Sequence, residues 1–352
     1  MRSRPRPSVH PARRWMRCAV AIIALIGFCT VAAAADRPAS ASVEQAQAKA
    51  LGRASDAVVG VRVMAVDDAR SKDTLGRVRQ GSGVVIGGDD LVLTIGYLVV
   101  EAEQVQLLLD DGRTLPARVV AYDQATGFGL VQSLAPTHLE PVPLGSAASV
   151  QGDEPLMVVT GGEDGGISLA RMVSQRPFSG YWEYHIDGAL FTAPARTDQS
   201  GAALFNARGE LLGIGSLLVT DALGPDAPRL PGNMFVPIDL LKPILNELRA
   251  AGMSAESRRA WMGVSCVEHG GAVRVVRVSD DSPAQEAGLR PGDQILRLDG
   301  NDVGDLSALW KALWHGQPER DVTLEIRRGE EPRQVRMHTI DRNKTFRHAQ
   351  GI

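Results

Sequence analysis

The chain has 352 residues, of which 44% are hydrophobic and 22% are charged, and its formal net charge is −3. This length suits two or three compact domains, and the composition is ordinary for a soluble globular protein. Without the six arginines that precede residue 36 the formal charge falls to −9, and such an acidic chain argues against nucleic acid and against broad adhesion to anionic membranes.

Residues 1–35 have the pattern of a secretory signal peptide. Six arginines and no acidic residue occupy positions 1–17, and an unbroken run of apolar or small residues follows from Cys18 to Ala35. The small-residue end of this run, VAAAA, favours cleavage near Ala35 and therefore a secreted protein. The alternative is an uncleaved anchor, because the run is near the lower limit for spanning a bilayer. Only an uncleaved segment gives the chain a membrane partner.

Residues 36–54 are predicted to form a polar linker and an amino-terminal helix. The alanine-rich stretch from Ser42 to about Ser55 favours the helix, with Ser42 as a candidate cap. Cys18 and Cys29 leave with the signal, so Cys266 stands alone and is expected to be a small buried residue. No intramolecular disulfide, metal-ligand cluster or cofactor is predicted.

Short apolar runs predict a strand-rich domain over residues 55–250. They are rich in β-branched residues and are separated by glycine and aspartate, as in VVGVRVMAV, GSGVVIGG and LVLTIGYLVV. The segment LFNARGELLGIGS is a hairpin candidate, because Asn206 to Gly209 are turn-forming residues. Leucine and isoleucine at spacings of three and four then predict an amphipathic helix over residues 237–251, which Gly252 can end.

The carboxy-terminal region, residues 258–340, is predicted to be a separate module of strands with one helical piece, LSALWKALW. Its stretch DSPAQEAGLRPGDQILRLDGNDV closely resembles the signature of PDZ domains. Ser282 and Pro283 can start a short helix and Gly288 can end it. Residues 341–352 are polar and are predicted to be a frayed tail.

The loop that precedes this signature is the candidate peptide-binding site. It reads WMGV (Trp261, Met262, Gly263, Val264) and resembles the carboxylate-binding loop of HtrA-type PDZ domains, roughly YLGV. The resemblance implies that its backbone N–H groups receive a terminal carboxylate and that the next strand adds the peptide by β-augmentation. Peptide carboxy-termini and unfolded segments are therefore the expected partners. The groove-lining candidates, which are alternatively core residues, are Leu309 and Leu313.

Residues 55–245 resemble, in order, the protease domain of HtrA (DegP-like) serine proteases. The matching landmarks are AVVGVRV, QGSGVVI, VLTIGYLVVEA, TGFGLV and TDQSGAALFNARGELLGIGS. The resemblance implies a mainly β fold, in which a trypsin-like double β-barrel is followed by a PDZ domain of strands plus one or two helices. It also implies a periplasmic protein, or an inner-membrane protein facing the periplasm if the signal is uncleaved.

The triad positions depart from the family pattern. Ser200 occupies the nucleophile position, but Tyr97 stands where the family has histidine and Gly127 where it has aspartate. Losing the base of a comparable triad lowers turnover by about 10⁶. A phenol with a pKa near ~10 holds its proton at neutral pH and is a poor replacement.

The oxyanion loop is altered too. The family pattern GNSGGPL reads DQSGAAL here, so Asp198 replaces a glycine, followed by Gln199, Ser200 and Gly201. A carboxylate at this place opposes a developing negative charge. The barrel-region histidines, His138 and His185, are not expected to reach the serine.

The favoured hypothesis is a secreted, non-catalytic HtrA-like protein that binds peptides or proteins as a regulator or chaperone-like factor in envelope protein quality control. The alternatives are an active serine endopeptidase that degrades misfolded periplasmic proteins, and a structural adaptor in envelope assembly. A homotrimer, or a hetero-oligomer with an active paralogue, is implied by resemblance only.

Overall fold

The computed structural model describes residues 37–348 and shows a mainly β chain, which confirms the predicted fold class. The predicted signal peptide, residues 1–35, lies outside the described residues. Helix α1 spans Arg37–Asp56 and starts earlier than predicted. Within residues 37–348, no helix combines the length and the apolarity needed to cross a membrane.

Six antiparallel strands close the first barrel, hydrogen-bonded in the order β1-β2-β3-β6-β5-β4. Closure leaves no exposed strand edge. Two short helices, α2 (Lys72–Leu75) and α3 (Gly96–Val99), interrupt the strands. The strands are β1 (Val58–Ala65), β2 (Val78–Gly87), β3 (Leu91–Ile95), β4 (Ala102–Leu108), β5 (Thr114–Tyr122) and β6 (Phe128–Ser133).

The second barrel repeats this architecture in the order β10-β11-β12-β9-β8-β7. The predicted hairpin is confirmed, because the Asn206 side chain accepts bonds from the Arg208 and Glu210 amides, and Gly209 has φ +71°. One apolar cluster spans both barrels, and a second, separate cluster lies within the second barrel. The strands are β7 (Leu156–Thr160), β8 (Gly166–Gly180), β9 (Tyr184–Ala193), β10 (Ala203–Phe205), β11 (Leu211–Val219) and β12 (Gly232–Pro237).

The helix predicted over residues 237–251 is interrupted. A 3-10 turn at Ile238–Leu240 comes first, and helix α4 spans only Leu245–Ala251. Pro243 lies between them and has no N–H to donate to the preceding turn. Gly252 ends α4 as predicted, with φ +77° and its N–H bonded to the Leu248 oxygen.

The PDZ domain follows as a sheet in the order β14-β15-β16-β18-β19, with β17 beside β16 and with β13 paired to β20. Ser282 caps the short helix α5, and Asp305 caps α6. The elements are β13 (Ala260–Trp261), β14 (Val264–His269), β15 (Ala272–Val278), α5 (Pro283–Glu286), β16 (Gln294–Leu298), β17 (Asn301–Asp302), α6 (Leu306–Trp314), β18 (Asp321–Arg328), β19 (Glu331–His338) and β20 (Ile340–Asp341).

The prediction of a frayed tail was wrong for residues 341–348. After β20 a 3-10 turn covers Arg342–Thr345. The Phe346 ring then packs edge-on against Tyr122, with the ring centroids 5.5 Å apart, and the Arg347 amide donates to the Glu101 carboxylate at 2.8 Å. The carboxy-terminal segment therefore returns to the first barrel and fastens the PDZ domain to it.

Candidate functional site

Ser200 lies on the loop that joins β9 to β10, at the seam between the barrels. Its backbone oxygen accepts a hydrogen bond from the Ser82 amide of β2 at 2.8 Å. The next residue, Gly201, has φ +74°, and a Cβ there would come within 1.9 Å of the Ser82 oxygen. Only glycine fits this approach. The serine loop of the second barrel is thereby fixed against the first barrel.

Tyr97, at the position of the family's histidine, reaches Ser200 across the seam. Its hydroxyl is 2.8 Å from Ser200 Oγ and 2.8 Å from the Ser216 backbone oxygen. A carbonyl can only accept, so the tyrosine proton points to Ser216 and the Ser200 hydroxyl donates to Tyr97. Burial raises the pKa of Tyr97 to about 12, and the bond with Ser200 only opposes that rise. The phenol keeps its proton at neutral pH.

Gly127, at the position of the family's aspartate, lies beside Gly96, the residue that precedes Tyr97. Its backbone oxygen accepts from the Gly96 amide at 2.7 Å. Gly127 has φ +85°, and a Cβ there would lie 3.0 Å from the Tyr184 hydroxyl. That hydroxyl donates to the Thr126 oxygen at 2.8 Å. Tyr184 therefore fills the space that a side chain at position 127 would need.

The Asp198 carboxylate is held inside its own loop. Arg196 donates to it twice, from Nε at 2.8 Å and from Nη2 at 2.5 Å, and Thr160 donates at 3.2 Å. The Arg196 bond is the main cause that lowers the pKa of Asp198, and the backbone N–H of Asp198 itself contributes. The Asp198 carboxylate is therefore ionised and paired with Arg196.

The rest of the serine loop is bonded to β11 and to itself. The Gly201 amide donates to the Gly215 oxygen at 2.9 Å, and the Ala202 amide donates to the Gln199 oxygen at 3.0 Å.

His185, which could substitute as a base, is buried elsewhere. Its Nδ1 lies 2.8 Å from Ser179 Oγ and its Nε2 lies 3.2 Å from Asp187 Oδ1. The structure therefore brings Tyr97 to Ser200, as the family resemblance implies, and places no imidazole beside Ser200 among residues 37–348.

The predicted carboxylate loop of the PDZ domain is formed, and it already holds a carboxylate. The backbone N–H groups of Met262, Gly263 and Val264 donate to Glu183 Oε1 at 3.2, 2.8 and 3.1 Å. Glu183 is 3% exposed and lies at the tip of the β8–β9 hairpin. Burial raises its pKa to about 7, while Arg342 and the three amides act in the opposite direction.

The other predicted groove residues are buried. Trp261 is 7% exposed, and the Arg70 guanidinium lies 5.5 Å from the centre of its ring. Leu309 and Leu313 are fully buried in the PDZ core next to Trp310. This burial favours the core alternative for both leucines.

Sequence reasoning missed Tyr184, Glu183 and Arg196. The segment YWEYHI has the composition of a strand, but its glutamate among aromatic residues is also a signal of a buried carboxylate. Arg196, two residues before Asp198, was a signal of a local ion pair.

Comparison with known proteins agrees with this layout. Residues 81–214 match the trypsin-like peptidase domain family, and residues 260–339 match the PDZ domain family. A putative serine protease, HhoA from Synechocystis sp., is 27% identical over 293 residues, which cover 76% of this chain and 72% of the relative. The serine endoprotease DegS from Haemophilus influenzae is 26% identical over 289 residues, covering 78% and 82%.

A probable periplasmic DegP-like serine endoprotease from Hahella chejuensis is 29% identical over 269 residues, but these cover only 55% of that relative. Among solved structures, the HtrA-type protease AlgW with a decapeptide superposes with a TM-score of 0.52 at 19% identity, covering 84% of this chain and 98% of that one. The serine endoprotease from Yersinia pestis gives a TM-score of 0.51 at 21% identity. These likenesses support the fold alone.

The chain has two barrels with the serine loop at their seam and a PDZ domain after them, and its relatives share this order. It therefore belongs to the HtrA family of trypsin-like proteins with a PDZ domain.

Proposed function

We propose that this chain is a non-catalytic HtrA-family protein, which binds peptides or proteins as a regulator or chaperone-like factor in envelope protein quality control. The observation that carries the proposal is the contact between Ser200 and Tyr97 at 2.8 Å, in which a half-buried, protonated phenol stands where the family's general base would be. A serine hydroxyl without a base is a poor nucleophile.

The magnitudes support this proposal. Loss of the base costs about 10⁶ in turnover, and loss of the orienting carboxylate alone costs about 10⁴. The altered oxyanion loop adds a further cost, because the family resemblance places Asp198 where a glycine stands and a nearby carboxylate opposes developing negative charge. These effects overlap and do not multiply, but the first of them is sufficient to suppress proteolysis.

The compartment and the partners follow from relatives and from the chain's pattern. The DegP-like relatives are named as periplasmic, and residues 1–35 have the signal pattern, so we place the protein in the periplasm. The PDZ domain supplies the peptide-binding function. Assembly as a trimer, or with an active paralogue, is part of the proposal and is tested by sedimentation of the purified protein alone and with that paralogue.

A fluorophosphonate probe tests the catalytic part. The mature chain from residue 36, its Ser200→Ala variant and trypsin as the active control are incubated with the probe and, separately, with unfolded casein. We expect labelling and cleavage by trypsin only. Labelling or cleavage by the wild-type chain that Ser200→Ala abolishes would overturn the proposal.

A further inference from the structure

The tip of the β8–β9 hairpin lies along the PDZ domain like a bound peptide strand. The Cys266 amide of β14 donates to the Tyr181 oxygen at 2.7 Å, and Trp182 pairs with Ser265 in an antiparallel bridge. The next residue, Glu183, places its carboxylate on the three loop amides described above. The segment 181–183 therefore provides both a strand added beside β14 and a carboxylate in the loop.

A second element of the PDZ domain contacts the same hairpin. The Trp310 indole N–H of α6 donates to the Gly180 oxygen at 3.0 Å, and Lys311 Nζ lies 3.5 Å from the Asp187 carboxylate. Strand pairing on β14, a carboxylate in the loop and a contact from α6 make up the mode in which PDZ domains take a peptide. In this chain the carboxylate comes from a side chain and not from a chain end.

We propose that residues 181–183 are an internal ligand of the PDZ domain, and that a peptide with a free terminal carboxylate binds only by displacing them. The inference rests on the peptide-binding part of the proposed function. Both ligands need the same three amides, since Oε1 of Glu183 accepts from all of them. Simultaneous occupancy is therefore excluded, and the affinity for an added peptide is reduced by the fraction of chains in which the groove is open.

The conformation of the hairpin tip agrees with a segment that is held from outside. Glu183 has φ +20°, which side chains rarely adopt, and its carboxylate is removed from water. A conformation and a burial of this kind persist only where the surroundings compensate for them. The compensating contacts are the amides of the PDZ loop.

Hydrogen–deuterium exchange of the mature chain tests the occupancy. We expect the amides of residues 262–264 to exchange about tenfold faster or more in Glu183→Ala, because the oxygen that accepts their hydrogen bonds is lost. Glu183→Gln keeps an oxygen in the Oε1 position and should retain most of the protection. Glu163→Ala removes a carboxylate whose side chain is 80% exposed on another hairpin and should match wild type. Unchanged exchange in a folded Glu183→Ala protein would overturn the proposal.

If Glu183→Ala fails to fold, Glu183→Asp replaces it, because the shorter side chain withdraws the carboxylate while keeping its charge. The same increase of exchange is then expected, and its absence would contradict the proposal.

Competition tests the displacement. The probe is a fluorescein-labelled peptide, Ser-Gly-Tyr-Trp-Val, which copies residues 179–182 and ends in a free carboxylate, and its carboxamide form is the control. We expect Glu183→Ala to bind the acid form at least about tenfold more tightly than wild type does. Neither protein should bind the carboxamide form measurably. Equal affinities, or no binding to Glu183→Ala, would overturn the displacement. Serine labelling does not involve Glu183, so it tests the catalytic proposal separately.

Discussion

The Tyr97 hydroxyl lies 2.8 Å from Ser200 Oγ and joins the two barrels at the position where HtrA proteases have a base beside their nucleophile. The same hydroxyl donates its proton to the Ser216 backbone oxygen at 2.8 Å, so it accepts from Ser200. Tyr97 thus links the seam of the barrels and holds the serine hydroxyl as a donor.

Replacing Tyr97 by histidine alone should not produce a protease. The new imidazole would have no carboxylate to orient it, because Gly127 occupies that place, and an unoriented base leaves turnover about 10⁴ below that of a complete triad. Casein cleavage and fluorophosphonate labelling of Tyr97→His should equal those of Tyr97→Phe. Cleavage by Tyr97→His that a second change, Ser200→Ala, abolishes would contradict this expectation.

Any side chain at position 127 should destabilise the fold. Gly127 has φ +85°, and a Cβ there would lie 3.0 Å from the Tyr184 hydroxyl, so Gly127→Ala should lower the free energy of unfolding by about 1–3 kcal/mol. Urea denaturation measures this change. In a Tyr184→Phe background the contact with the hydroxyl disappears, and the same substitution should cost less. Strictly additive costs would show that Tyr184 does not restrict position 127.

Cys266 should be unreactive in the folded protein. It is fully buried, and burial raises the pKa of its thiol, so little thiolate forms at neutral pH and reagents have no access. In a protein that starts at residue 36 and therefore contains no other cysteine, Ellman's reagent should report less than about a tenth of a thiol before denaturation and one thiol after it. Rapid modification of the native protein would show that β14 opens.

The strands and the short PDZ helix were predictable because their signals are local. Short β-branched apolar runs, the turn at Asn206–Gly209 and the cap at Ser282 act within a few residues, and all of them are confirmed. The closure of the strands into two barrels was expected only from the family resemblance. The prediction of one continuous helix over residues 237–251 was wrong. The leucine spacing is typical of a helix, but Pro243 lacks the N–H that a continuous helix needs and interrupts it.

The contacts that decide the function are long-range. Tyr184 bonds to Thr126 across 58 residues, and Glu183 reaches the PDZ loop across about 80. The aromatic residues around Glu183 signal a buried carboxylate but do not identify its partner, and a single tyrosine fits many environments. The positions of Ser200, Tyr97 and Gly127 relative to one another could be expected only from the family resemblance.

The stability of the docked hairpin should depend on pH through Glu183. Burial raises its pKa from the usual value near 4.5 to about 7, so the folded state binds the proton more tightly than the unfolded state does. Proton binding by Glu183 therefore stabilises the folded state fully below pH 4.5, and this stabilisation is lost as the pH rises to about 7.

Glu183→Gln tests this dependence because its side chain cannot ionise. Its free energy of unfolding relative to that of wild type should increase between pH 4.5 and 8, by on the order of 3 kcal/mol. Urea denaturation at these two pH values measures the difference. Burial raises the pKa of Cys266 out of this range, and His185, whose pKa is lowered by burial, titrates in both proteins and cancels. A difference between the two proteins that does not change with pH would show that Glu183 does not take up a proton when the hairpin docks.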